Sequence, residues 1–167
     1  MNINKDEIGE LWDEITPKLY GYLFNTLKDK SLADDILQNT WVKAIEALPR
    51  FENRGYGFKA WLFSIARNEM RMHWRKVGRE VSYDESLHDI HIYGGDSQKE
   101  DKIFLGQIVS RLKEEDQELI RLRYIADLSF LEIAKLLNIN PITARVKINR
   151  ALGHARVILK TQQYERI

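Results

Sequence analysis

The segment LSFLEIAKLLNINPITARVKINRALGHAR, Leu128 to Arg156, spells two helices and the turn between them. Phe130 to Leu137 has the spacing of a short helix with Ile133, Ala134 and Leu137 on its inner side, and Ala134 is small where a second helix must cross closely. Asn138 falls at the turn, where asparagine tolerates the left-handed backbone better than most non-glycine residues. Asn140-Pro141 then opens a second helix, because asparagine caps the first amides and proline at the first helical position gives up a hydrogen that would be unpaired anyway. The pattern predicts a helix-turn-helix. In its second helix Ala144, Ile148, Ala151, Leu152 and Ala155 make the inner stripe. Arg145, Val146, Asn149 and Arg150 make the outer one. Arginine grips guanine, asparagine grips adenine and a valine methyl suits the thymine methyl. Thr143 and Lys147 are placed for phosphate contacts, which position without reading sequence.

The charge pattern extends this expectation to the rest of the chain. Net charge is only +1, but the charges are segregated. Arg67, Arg71, Arg75, Lys76 and Arg79 face a single acid, Glu69. From Glu80 to Asp101 the sign reverses, with Lys99 alone among seven acids. Between Asn138 and Lys160 there are Arg145, Lys147, Arg150, Arg156 and Lys160 and no acid. Two basic segments parted by an acidic one suit two contacts with a polyanion.

Strand alternation is almost absent and helical spacing is everywhere, so the fold expected is all-α. Ser31 and Asp34 resemble a capping box for a helix running to Leu48, with Leu37, Trp41, Ala44, Ile45 and Leu48 as its apolar positions and Pro49 as its stop. Phe51 to Gly57 reads as a loop, and a second helix follows with Phe58, Trp61, Leu62, Ile65 and Ala66 on one side. Trp41, Phe58 and Trp61 belong to apolar stripes. Phe51 and Tyr56, in the loop beside a cationic helix end, can stack on unpaired bases. Trp74, among Arg71, Arg75 and Lys76, is left open between the core and a contact with DNA. From about Val81 to Lys99 periodicity is lost around Gly94-Gly95, as in a flexible acidic linker. Two small helical domains are expected, 1–80 and 101–162, joined by a linker at 81–100, the second containing the helix-turn-helix.

Other classes fit less well. With no cysteine, thiolate metal sites and disulfides are excluded. His88 and His91 lie close only within the acidic linker, where a solvated segment is the better expectation than a metal site. Asp34 and Asp35 point about 100° apart on a helix and do not converge on one ion. No phosphate-binding glycine loop and no nucleophile–base pair is visible. Neither catalysis, a metal, a cofactor nor a small-molecule substrate is expected. A dimeric helix-turn-helix regulator would share the C-terminal pattern, but the long heptad seam of a dimerisation helix is missing. No apolar run approaches the ~20 residues that span a bilayer, and Met1 to Glu10 lacks the features of a secretion signal, so a cytoplasmic protein without membrane insertion is expected.

Taken together the segments resemble the extracytoplasmic-function class of sigma-70 family factors of bacterial RNA polymerase. The resemblance lies in Ala33 to Trp41 (ADDILQNTW), Phe58 to Asn68 (FKAWLFSIARN), Leu112 to Ile120 (LKEEDQELI), Leu122-Arg123-Tyr124 and Leu128 to Ala134 (LSFLEIA). It implies a factor that directs core polymerase to promoters and assists their melting. It implies that Asp34, Asp35 and Gln38 dock on core polymerase. The −10 element would fall to Phe51, Tyr56, Arg67, Asn68, Arg71 and Arg75, and the −35 element to Thr143, Arg145, Val146, Lys147, Asn149 and Arg150. Many relatives are held by an anti-sigma protein, which adds an expected partner to core polymerase and promoter DNA. The chain departs from the family where Ile142 and Ala144 replace the usual glycine and valine, and where Val146 replaces a frequent serine or other polar residue. These departures leave the promoter sequence open.

Overall fold

The computed structural model describes residues 5–53, 55, 57–78 and 106–165, and every regular element among them is helical. The expected linker, with His88 and His91, lies outside the described residues. Helix α1 spans Lys5–Leu27, α2 Lys30–Ala47 and α3 Gly57–Val77. After a helical segment at 106–110 come α4 (Glu114–Ile120), α5 (Phe130–Leu137) and α6 (Pro141–Glu165).

The corner between α1 and α2 is made by Lys28, whose backbone is left-handed (φ 56°) and whose amide donates to the Phe24 carbonyl at 2.9 Å. That corner leaves Asp29 extended, so its carboxylate caps α2 by accepting from the Leu32 amide at 3.0 Å. The cap is therefore Asp29 and not Ser31, because α2 already begins at Lys30. Its buried side chains are Ala33, Ile36, Thr40, Trp41 and Ala44. Ile45, expected inside, is half exposed. The inner stripe runs through Ala33, Ile36, Thr40 and Ala44, with the buried Thr40 hydroxyl satisfied by donating to the Ile36 carbonyl at 2.6 Å, and Ile45 falls about 100° beyond it. A 3-10 turn at Leu48–Arg50, containing Pro49, ends the helix.

The C-terminal elements follow the predicted order. Ser129 caps α5: its hydroxyl accepts from the Glu132 amide at 3.2 Å, while Glu132 accepts from the Ser129 amide at 2.7 Å. Asn138 closes α5 in the left-handed region (φ 55°), and the Asn140 side chain accepts from the Ile142 amide at 2.8 Å to open α6. Ile133, Ala134, Ala144 and Ile148 are buried at the crossing. Between α4 and α5 the chain makes a π turn, Arg121–Ile125, closed by the Ala126 amide on the Arg121 carbonyl at 2.9 Å.

One hydrophobic cluster runs through both halves. It joins Ile15, Leu19, Tyr22 and Leu23 of α1 and Leu62, Phe63 and Ala66 of α3 to Leu119, Leu122, Ala126, Leu128, Ile133, Ala144 and Ile148. The π turn lies on α1, and α5 lies on α3. The approach is close at Gly21, where an added Cβ would meet Ile125 Cγ2 at 3.1 Å. A small second cluster, Leu112, Ile120 and Ala151, ties α4 to α6. Gln117, buried between them, donates its side-chain amide to the Leu112 and Ser110 carbonyls at 2.9 and 3.3 Å.

Candidate nucleic-acid interface

Helix α6 presents its outer face fully. Ile142, Thr143, Arg145, Val146, Asn149 and Arg150 are all exposed, while Ala144, Ile148 and Ala151 hold the helix from below. The buried side chains there are small or β-branched, so the helix is seated tightly and its outer positions are fixed in direction. Lys147 differs from its neighbours: its ammonium is paired with Glu115 of α4. Two turns further, His154 Nδ1 lies 2.6 Å from Asp116. Glu115 and Asp116 are in the first turn of α4, where a helix end favours acids. A phosphate would therefore compete with Glu115 for Lys147.

Helix α3 carries the second cationic surface. Asn68, Arg71 and Arg75, spaced along one side, are exposed. With Trp74 they line an open concavity of about 440 Å³. Trp74 is half buried and packs on the core, so it belongs to both the core and the wall of this hollow. Arg67 is placed differently. Its guanidinium lies 3.5 Å from Glu118 of α4, and both side chains are only 16% exposed. The second half of the molecule thus covers it.

That contact belongs to a polar frame around the shared core. Tyr22 donates its hydroxyl to Glu118 at 2.8 Å, and burial followed by the Glu118 charge pushes the phenol well above its ordinary pKa. Arg121, buried, is paired with Glu114 and lies 3.4 Å from Glu118. Asp127, itself left-handed (φ 55°), accepts from Lys18 at 3.0 Å on its carboxylate and from Lys59 at 2.6 Å on its carbonyl. The Lys18 hydrogen bond, and the Lys59 charge behind it, hold the Asp127 carboxyl below the usual range. Burial, and then repulsion from Lys18, lowers Lys59.

The loop after α2 brings its aromatic inward. Phe51 is half buried, with its ring 4.7 Å from that of Trp61 and 5.6 Å, edge-on, from that of Phe58. Asn53 shapes the loop by accepting from the Gly55 and Gly57 amides at 3.1 and 3.2 Å. Phe51 and Phe58 form the apolar wall of a cavity of about 280 Å³, whose rim carries Glu7, Glu10 and Glu14. Tyr56 lies outside the described residues. On α2, Asp34, Asp35 and Gln38 are exposed and form a polar face. The apolar part of that face, Val42 and Ile45, is half exposed and follows Asp35 and Gln38 at helical spacing. Among the described residues no group of three His, Asp or Glu could hold a metal ion. None of their helices is long and apolar enough to cross a membrane.

A seated helix-turn-helix with an acid-free outer face, paired with a second cationic helix, defines a DNA-binding protein. The pattern of sigma-70 region 2 matches residues 11–80, and that of sigma-70 region 4 matches residues 105–154. The ECF RNA polymerase sigma factor SigM of Bacillus subtilis is 28% identical over 86% of this chain and 90% of its own length. The ECF sigma factor BldN of Streptomyces coelicolor is also 28% identical, over 81% of this chain, which spans about half (53%) of that longer protein. Among solved structures, the sigma factor RpoE of Bartonella quintana, in complex with the anti-sigma factor NepR, superposes with a TM-score of 0.69. It is 25% identical, over 93% of this chain and 98% of that one. The chain belongs to the extracytoplasmic-function class of the sigma-70 family, the RNA polymerase sigma factors.

Proposed function

We propose that this sigma factor divides its work between residues 1–80, which dock on core polymerase and engage the −10 element, and residues 101–162, which read the −35 element, with 81–100 as the connection. The exposed, acid-free face of Arg145, Val146, Asn149 and Arg150 supports this reading most strongly. Arginine and asparagine there supply the bidentate donors that distinguish guanine and adenine, and Thr143 and Lys147 face the flanking phosphates. Asn68, Arg71 and Arg75 contact the −10 DNA. Arg67 joins them once Glu118 releases it.

Phe51 and Tyr56 receive an unstacked base. An apolar cavity rimmed by carboxylates suits the edge of a base and repels phosphate, so Phe51 acts by stacking and not through charge. Asp34, Asp35 and Gln38 dock on core polymerase, and Val42 and Ile45 give that contact its apolar part. Core polymerase supplies all the chemistry. The factor works in the cytoplasm, and an anti-sigma protein is its expected regulator.

The test is reconstitution of the chain with bacterial core polymerase on fragmented genomic DNA, followed by mapping of transcript starts. Discrete starts with shared upstream motifs, absent from core alone, are expected. Phe51→Ala is expected to slow promoter opening while leaving closed complexes largely intact. Normal opening by that variant would remove Phe51 from base capture. Binding of duplex DNA without any association with core polymerase would instead make the chain a stand-alone regulator.

A further inference from the structure

Among the described residues Ile142 is the most exposed large apolar side chain, at 74%, and Val146, one turn on, is 49% exposed. The two share one stripe of α6 with Asn149, between Arg145 and Arg150. We propose that Ile142 and Val146 together read thymine methyl groups in the upstream duplex, which makes Ile142 a further specificity-determining residue. The inference rests on the −35 assignment above and deepens it.

Three observations carry it. First, the surroundings are cationic: from Asn138 to Lys160 the chain has five basic residues and no acid, so the surface that meets this stripe is a polyanion. Among the base edges of a duplex major groove, the apolar group on offer is the C5-methyl of thymine. Second, the Ile142 amide is already taken by the Asn140 side chain at 2.8 Å, so what this residue brings to an interface is its side chain. Third, isoleucine and valine are stiff at χ1, so each presents a fixed apolar shape and loses little freedom on contact.

Geometry adds a constraint on the target. Four residues of helix advance about 6 Å, against a step of about 3.4 Å per base along a strand. The two methyls therefore lie about two base steps apart, next to the adenine or guanine taken by Asn149 and Arg150.

The experiment uses the assembled holoenzyme, the full chain with core polymerase, and a duplex library randomised across the upstream element. The bound pool is sequenced, and each selected thymine is then replaced by deoxyuridine, which removes only the methyl. Two thymines are expected whose replacement weakens binding about fourfold each. Ile142→Ala is expected to abolish the effect at one of them and retain it at the other, and Val146→Ala the reverse. Both variants should keep the thermal midpoint of the parent, since both positions are on the surface. Full sensitivity to deoxyuridine in both variants, or none in the parent, would overturn the proposal while an Arg150-dependent motif left the −35 reading standing. Weaker assembly of Ile142→Ala with core polymerase in the absence of DNA would overturn it in favour of a protein contact. A pool without any Arg150-dependent motif would remove the −35 reading and this inference together.

Discussion

The two DNA-facing regions of the molecule are built alike and presented differently. On α6 the arginines stand clear of the protein, with small buried residues beneath them. On α3 the row begins at Arg67, under the second half of the chain and paired with Glu118, and opens to solvent only from Asn68 onward. The lesson is that the same residue type at helical spacing can be ready for a ligand or committed to the fold, and the difference is set by what packs across it. The arginines of the face proposed for the −35 element are already exposed, with only Lys147 tied back to Glu115. The row proposed for the −10 element includes Arg67 only once its contact with Glu118 opens.

Variants can break this comparison at graded strength. The largest effect is expected from Leu122→Ala, a fully buried side chain at the junction, at about 2–5 kcal/mol. Urea unfolding followed by tryptophan fluorescence and by far-ultraviolet dichroism should shift together, because one core serves both halves. Separate shifts would show that the halves unfold independently. Next comes Arg150→Ala, which should cost about 1–3 kcal/mol of discrimination between matched and mismatched upstream duplexes with no change in the unfolding midpoint. A destabilised variant would contradict the account of α6 as a preformed face.

Tyr22→Phe is expected to cost about 1 kcal/mol near neutral pH through its lost hydrogen bond. The parent phenol titrates higher when folded than when unfolded, so its contribution is present below about pH 10 and fades as pH rises beyond that. The variant should therefore lose less stability than the parent across that range, and the difference between the two separates the phenol from the lysines. The smallest effect is expected at Asp127→Asn, under about 1 kcal/mol because the carboxylate is largely exposed. Its carboxyl titrates lower when folded, so the contribution is present at neutral pH and is lost as pH falls through and below the carboxylate range. Parent and variant should converge in acid.

The helix-turn-helix was the most legible part of the chain because its signals are local. Asn138, Asn140 and Pro141 act within a few residues of themselves, and each occupies the backbone state that its chemistry favours. The Ser129–Glu132 capping box is equally local and has a sequence signature that the helical spacing alone does not use. On α2, spacing misplaces Ile45 because buried Thr40 counts as polar until its bond to the Ile36 carbonyl is seen. In α1, Pro17 lies inside the helix, where proline argues for a boundary. Of the candidate site, the outer face of α6 is exposed as its spacing predicts, and the α2 carboxylates and the Asn68, Arg71 and Arg75 row, singled out by the family resemblance, are exposed as well. The commitments of Arg67 to Glu118 and of Lys147 to Glu115 are not legible, since each joins residues more than thirty positions apart.

The shared core also has a consequence for biosynthesis. The apolar sides of α1 and α3 are covered by the π turn at Arg121–Ile125 and by α5 at Phe130–Leu137, about 45–60 residues beyond the end of α3. At ~5–20 residues per second that interval lasts roughly 2–12 s, during which those sides of α1 and α3 lack this cover. The newborn N-terminal half is thus a natural client for chaperones and an early target for proteases. How fast the cell makes the second half helps to set how much active factor it obtains.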